Sequence, residues 1–524
     1  MATPEETIAE LASQVVALGG QVSNLAGQLS AKDDQIGRLL VLVEKLNGKL
    51  DAALKLLEQR DPARAAKERE SVNEALAGLP PRPEGAAEPP KPPPRPDRET
   101  TPRKRHAHGR TTAQPEHLSD TTTADRPTAC DGCGGGRLRD VDEVVQSTWH
   151  YQRATWRYRR WVRATCQCVD CGARTTSEAP LLPFPRASCS VEAAAHVVHA
   201  KFGQHLPIDR QVREWAVQGV PLAKSTIIGW CRSVAGVLQP LCDHLWSTLL
   251  AADRLNMDGT GLLVLRGKGK AHRGQVYVFA TDRIAVFKYF PTKHGERLDE
   301  ALAKFGGTAV ADAASNHDGL FADGERLEAG CNAHALRKFA EARASEPHIA
   351  GEGVRWLQAM YDAEAMAREQ GLRGGALLEH RRRHIKPLLV DFRRWLELKV
   401  HETVPGTPEY KAIRYYLRHW RPLTRFVDEP DVPIDNNLAE RLLKAVALGR
   451  KNFVFAGADV GAERAAVFYT VIETAKLNGV DPHAYLVWLL ERLAYRREIR
   501  GVPIADLTPW RFKELSDKDQ PQPG

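Results

Sequence analysis

Three acids far apart in the chain, Asp258, Asp312 and Glu440, stand on segments whose patterns can bring them together. Asp258 lies in LNMDGTGLLVL, an apolar run of strand type, and Asp312 ends the short apolar run TAVAD. Glu440 lies on a helical stretch, NNLAERLLKAVALGRK, whose next turns carry Arg441, Lys444, Arg450 and Lys451. Carboxylates from a sheet edge and an adjacent helix are the donor set for two Mg²⁺ or Mn²⁺ ions about 3.5–4 Å apart, which activate the attacking oxygen and stabilise the leaving one in phosphodiester chemistry. Each acid also has a simpler role. Asp258 before Gly259 suits a turn, Asp312 suits a helix cap, and Glu440 with Lys444 makes an i,i+4 pair worth about 0.2–0.5 kcal/mol. Asp318, Asp435 and Glu463 are competing acids. Asp435 with Asn436 and Asn437 reads as a capping sequence for the Glu440 helix, and Glu463 beside Arg464 reads as a surface pair.

A second chemistry-bearing pattern is Cys130-x-x-Cys133-Gly followed by Cys168-x-x-Cys171-Gly. Two close thiolate pairs are what a tetrahedral structural Zn²⁺ takes, so a zinc ribbon with four cysteine ligands is expected over residues 128–180. Cys166 is an alternative to Cys168, although the repeated Cys-x-x-Cys-Gly form favours Cys168. Between the knuckles, Trp149, Tyr151, Trp156, Tyr158 and Trp161 interleave with Arg153, Arg157, Arg159, Arg160 and Arg163. Such strands stack and pair with nucleic acid, or bury their aromatics as a small core.

These residues need elements to hold them. Residues 1–60 carry an apolar heptad from Ile8 to Leu57, β-branched at one position and Leu at the other, which predicts a parallel two-stranded coiled coil and a homodimer or higher oligomer. Residues 61–127 lose that period and fill with Pro, Arg, Glu and Thr, as a disordered linker does. Residues 190–250 read as two helices around Gly219 and Val220, a helix-turn-helix form that would present Lys224, Ser225 and Thr226 to a DNA groove. From Asp253 the period becomes that of strands: LNMDGTGLLVL, GQVYVFATD and IAVFKYF, then a helix from about Glu296 to Phe305, then TAVAD. Three antiparallel strands, a helix and a further strand give the order of an RNase H-like α/β core over residues 251–475. A helical insertion at about 333–430 precedes the Glu440 helix, and residues 476–524 form a helical segment and tail.

The chain has 524 residues, too many for one ordinary domain, and its 43% hydrophobic content is that of a globular protein. The net charge of +8 leaves a polyanionic partner plausible without compelling one. The start, MATPEETIAELA, lacks a basic region followed by an apolar run, and no segment approaches the roughly 20 apolar residues that span a bilayer. A cytoplasmic, nucleoid-associated protein without a membrane partner is expected. Five of the nine cysteines crowd between Cys130 and Cys171, which favours metal over a disulfide framework.

The strings IDNNLAERLLKAVALGRKNFVFAGADVGAERAA, IETAKLNGVDPHAYL, GCNAHALRKF and MDGTGLLVL resemble the transposases of the insertion sequence 66 family of bacterial mobile elements. The likeness runs over nearly the whole chain. It implies a DDE transposase that binds the element's terminal inverted repeats in double-stranded DNA. Such an enzyme hydrolyses the 3′ ends with Mg²⁺ and joins the freed 3′-hydroxyls to target DNA. Residue by residue, it implies Asp258, Asp312 and Glu440 as the metal-binding triad, and small accessory proteins as partners. Arg337, Lys338, Arg441, Arg450 and Lys451 read as phosphate contacts beside the acids. The chain departs from the family in having Gly259 and Gly261 where an acid and a proline are usual. Around His334, the string Cys331 to Phe339 lacks a Trp and an Arg. A histidine between apolar helix residues also suits plain packing. The rival functions are a non-catalytic DNA-binding regulator and a nuclease that cuts without joining.

Overall fold

The structure, a computed structural model, describes residues 181–266, 270–292, 295–312, 319–321, 324, 326–494 and 503–518, with shorter pieces at 13, 90–93, 156–167, 169–171 and 173–177. Contacts divide the chain into residues 94–160, of which 156–160 are described, and the remainder, to which everything below belongs. The expected coiled coil, most of the linker, Cys130, Cys133 and Cys168 lie outside the described residues. What is described of the ribbon segment is an antiparallel pair, β1 (Thr165–Gln167) and β2 (Arg174–Thr176). Cys166 lies on β1 and Cys171 in the turn, both exposed.

Helix α1 (Val191–Val198) opens on Ser190, whose hydroxyl accepts the Ala193 N–H at 3.2 Å. Helix α2 (Ile208–Val217) ends at Gly219, whose φ of +79° suits glycine, and α3 (Lys224–Leu250) follows. The buried residues of α3, Ile227, Trp230, Val234, Leu238, Leu241, Leu245 and Leu249, recur at three- and four-residue spacing. That stripe continues far beyond the turn and packs along a later helix, α12 (Asp459–Leu477).

The sheet has five strands in the order β5-β4-β3-β6-β7. Strands β3 (Arg254–Arg266), β4 (Lys270–Ala280) and β5 (Ala285–Phe290) form an antiparallel meander. After α4 (Glu296–Ala301), β6 (Thr308–Ala311) lies parallel to β3, and β7 (Leu327–Gly330) lies parallel to β6. The meander, helix and fourth strand agree with the alternation read from the sequence. The helix is shorter than its pattern predicts, and β7 carries no legible strand pattern. The outer edge of β5 is covered by α12: the Thr470 and Thr474 hydroxyls accept the N–H groups of Phe287 (2.9 Å) and Ala285 (3.2 Å). That hides an edge otherwise open to another strand.

Beyond β7 come α5 (Asn332–Ala342), α6 (Pro347–Glu369), α7 (Gly374–His384), α8 (Lys386–Lys399), α9 (Pro408–Arg418) and the short α10 (Trp420–Thr424). Phe339, Trp356, Trp395 and Tyr416 build one core with Val310 of β6 and Ala329 of β7, so these helices share their interior with the sheet edge. Within it Arg381 is 2% exposed, and its guanidinium bonds both carboxylate oxygens of Glu364 at 2.7 and 2.9 Å. It also donates to the carbonyls of Phe426 (2.6 Å), Glu429 (3.0 Å) and Val432 (3.1 Å). A buried charge is tolerable only when satisfied in this way. The consequence is a fixed loop leading into α11 (Asn437–Phe453), the helix that carries Glu440. Helices α13 (Pro482–Ala494) and α14 (Pro509–Lys518) complete the described chain.

Candidate metal centre

The register of β3 and β6 sets the two aspartates side by side. Asn256 is in register with Val310, and Asp258 and Asp312 each lie two residues further along parallel neighbouring chains. Parallel neighbours in register share a face and lie about 4.8 Å apart. Asp312 follows the last residue of β6, while β3 runs on into its hairpin with β4.

Helix α11 is brought to this edge by Asn436. That side chain accepts from the Asn256 amide at 2.9 Å and donates to the Met257 carbonyl at 2.8 Å. Asn256 and Asn436 are wholly buried. Read from its neighbours in the chain, Asn436 belongs to a helix cap. In the structure Asn436 does occupy the N-cap of α11 and Asp435 accepts the Asn437 N–H at 3.1 Å, but the Asn436 side chain makes no capping bond and ties the helix to the strand next to Asp258. Glu440 sits one turn beyond this tie, and its backbone N–H bonds the Asn436 carbonyl at 3.2 Å.

The electrostatics report the gathering. The Asp258 carboxyl is pushed from its ordinary 3.8 to about 7, first by burial and then by the nearby charges of Asp312 and Glu440, against an opposing bond from the Gly259 N–H. That N–H reaches Asp258 Oδ1 at 2.7 Å. The ring of Tyr277 lies across Gly259, 2.8 Å from where a Cβ would stand, so this position takes no larger residue without moving Tyr277.

Glu440 turns toward α5. One carboxylate oxygen is 3.5 Å from His334 Nδ1 and 3.9 Å from Cys331 Sγ, and the other is 3.9 Å from the Arg337 guanidinium. The ion pairs of Glu440 among the described residues are thus across the site and not with Lys444 along its own helix. Asn332, wholly buried next to Cys331, donates to the Leu423 and Ile434 carbonyls at 2.8 and 3.0 Å and accepts from the Tyr416 hydroxyl at 2.9 Å. It fixes the start of α5 as Asn436 fixes α11. Both asparagines lie in strings that carry the family resemblance, IDNNLAERLL and GCNAHALRKF, but nothing in those strings tells which distant groups they bond.

The expected phosphate contacts divide. Arg441 and Lys451 are exposed on α11, and Lys338 lies over the Tyr415 ring at 4.7 Å. Arg450 donates to the Thr260 hydroxyl at 2.7 Å and to the Gly261 carbonyl, so part of its guanidinium is committed to β3. Just beyond it Val454 adopts φ +64° and the Phe455 N–H bonds the Phe453 carbonyl at 2.7 Å, a tight γ-turn costly for a β-branched residue. The turn sets Ala456 against Leu263 and Leu265 of β3. Lys224 is bound to Asp209 at 2.6 Å, with Ser225 exposed and Thr226 half-buried at the same helix start. Of the competing acids, Asp318 lies outside the described residues and Glu463 is exposed on α12.

No described helix is long and apolar enough to cross a membrane. Residues 186–464, from before α1 into α12, match the transposase IS66 family, and residues 470–510 match the IS66 C-terminal element. Two Sinorhizobium fredii proteins are similar over most of their lengths. The uncharacterized protein y4hP is 30% identical over 416 residues, 74% of each chain. The uncharacterized protein y4jD is 29% identical over 420 residues, 76% of this chain and 81% of its own. With the first match spanning the whole sheet, the helices inserted after it and the Glu440 helix, the chain belongs to the IS66 family of transposases.

Proposed function

We infer that the protein is a DDE transposase of a bacterial insertion sequence, that its core is RNase H-like, and that Asp258, Asp312 and Glu440 hold its catalytic Mg²⁺ or Mn²⁺. The observation that carries this is the convergence of β3, β6 and α11 on one edge, close enough for Asp312 and Glu440 both to raise the Asp258 carboxyl. Three carboxylates that repel one another are a poor arrangement in isolation and a fitting one for divalent cations. When bound, such ions activate the attacking oxygen and offset the charge on the leaving oxygen of a phosphodiester.

The chain's own residues supply the rest. Asn436 and Asn332 hold the donor-bearing helices in place through buried hydrogen bonds. Arg337, Lys338, Arg441 and Lys451 hold DNA phosphates beside the acids, and Lys224, Ser225 and Thr226 open the helix that approaches a groove. A structural Zn²⁺ in the Cys130, Cys133, Cys168 and Cys171 ribbon, an N-terminal coiled coil that pairs two copies, and small accessory proteins complete the reading.

The test uses DNA carrying the source element's terminal repeats with Mg²⁺ or Mn²⁺, comparing the wild-type chain with Glu440→Gln. The expected result is that the wild type cuts and joins while the variant binds the same DNA and does neither. Full activity in the variant would remove Glu440 from the metal site and turn attention to Asp435 or Glu463. Cutting without joining by the wild type would make the protein a nuclease.

A further inference from the structure

The triad accounts for the acids, and leaves unexplained what Cys331 and His334 do against Glu440. Cys331 occupies the N-cap of α5 and His334 its third residue, so both side chains stand at the helix start. Sγ, a ring nitrogen of His334 and a Glu440 oxygen all lie within 4.8 Å of one another. His334 Nδ1 is buried and has no hydrogen-bond partner among the described residues, with the Glu440 oxygen 3.5 Å away, short of a proper bond. Cys331 Sγ accepts the Asn436 N–H at 3.2 Å. Burial pushes this thiol up to about 11 while that N–H bond opposes the rise, and a coordinating metal displaces the proton outright. Cys331 stands at the N-cap position without a side-chain capping bond, so capping does not account for a cysteine there.

The spacings fit a metal. With Zn–S of about 2.3 Å and Zn–N and Zn–O of about 2.0–2.2 Å, tetrahedral geometry puts N and O roughly 3.3 Å apart and S and O roughly 3.6 Å apart. The observed separations are 3.5 and 3.9 Å. A thiolate, an imidazole and one carboxylate select Zn²⁺ over Mg²⁺, which favours oxygen donors. Three protein donors leave the fourth position open to water or a phosphate oxygen.

We propose that Cys331, His334 and Glu440 form a second metal site that takes Zn²⁺ and draws Glu440 away from Asp258 and Asp312, so that Zn²⁺ antagonises Mg²⁺-dependent cleavage. The antagonism rests on the reading of Glu440 as a Mg²⁺ ligand; the Zn²⁺ site itself does not. Glu440 then has two alternative sets of partners: the hard aspartates across the strands and the soft pair on α5.

The experiment uses the full chain, first given one equivalent of Zn²⁺ for its cysteine-rich ribbon and then titrated with Co²⁺. A thiolate-to-cobalt charge-transfer band is expected with the added Co²⁺, absent in Cys331→Ser and weakened about tenfold or more in affinity in His334→Ala. Serine keeps an acceptor for the Asn436 N–H, and a melt by circular dichroism confirms that the variant is folded. Identical titrations of wild type and folded Cys331→Ser would overturn the site. In the activity arm, Zn²⁺ added to Mg²⁺-driven cleavage should inhibit the wild type at concentrations about tenfold or more below those that inhibit Cys331→Ser. Equal inhibition of the two would overturn the antagonism even with the cobalt band present. A wild type that shows the band but cleaves no DNA with Mg²⁺ would sink the transposase reading and leave the Zn²⁺ site standing.

Discussion

The polar groups that hold the candidate site and those that form it are bonded in opposite ways. Arg381, Asn436 and Asn332 are almost wholly buried, and each makes several short bonds, mostly to backbone carbonyls. Glu440 meets His334 and Cys331 at long separations, and the Asp258 carboxyl is raised first by burial and then by the charges of Asp312 and Glu440. The first set obeys the rule that buried polar groups are satisfied; in the second, His334 Nδ1 is buried without a partner among the described residues, where a ligand would complete it. Stability and function part along this line. Damage to the holding groups should unfold or misplace the helices, whereas neutralising the working groups should spare the fold and remove the chemistry.

The largest effect should come from Arg381→Met. It leaves Glu364 a buried lone charge and takes the guanidinium from three loop carbonyls, of which that of Glu429 keeps the Val432 N–H, so urea unfolding should show a loss of about 3–5 kcal/mol. Adding Glu364→Leu removes the stranded charge and should recover part of that loss, but not the part belonging to the carbonyls of Phe426, Glu429 and Val432. If Arg381→Met is as stable as the wild type, the holding groups are not what the comparison makes them.

Asn436→Ala comes next. It orphans the Asn256 amide and the Met257 carbonyl, and should cost about 1–3 kcal/mol in a urea melt. It also releases the start of the Glu440 helix, so Mg²⁺-dependent cleavage should fall about 10²-fold while the chain remains folded, as a small misplacement near the chemistry does. A stability loss with unchanged cleavage would detach Asn436 from the site.

A pH series bears on the same contrast. Asp258 titrates near 3.8 in the unfolded chain and about 7 in the folded one. Between these values the folded state holds more protons than the unfolded state, so this residue makes stability fall as pH rises from about 4 to about 7. The cost is absent below that window and complete above it. Asp258→Asn should flatten the decline. Mg²⁺ should raise the wild-type Tm more at about pH 8 than at about pH 5, since only the ionised carboxyl gains from the cation. A Mg²⁺ effect independent of pH, or one retained in the variant, would separate Asp258 from the cation.

The smallest effect belongs to Arg441→Ala. The side chain is exposed, so stability should change by no more than about 0.5 kcal/mol. If it meets a phosphate, the salt dependence of DNA binding should lose about one unit of slope across all sequences. An unchanged slope would make it an ordinary surface charge.

Whatever could be read from the chain without its fold is local. The apolar alternation of β3 to β5, the helical period of α3 and the string around Glu440 are carried by neighbours in the chain, and the string alone is specific enough to indicate the family. Strand β7 was not legible because its four residues acquire their pairing from β6 rather than from any pattern of their own. Other features came into being only on folding. The level at which Asp258 meets Asp312 follows from a parallel register between strands. Asn436 could be read as a cap because its bonds to Asn256 and Met257 cross about 180 residues of chain. His334 stood among packing residues until folding set it against Glu440. Propensity and period act between neighbours, whereas register and burial act only once distant segments share a core.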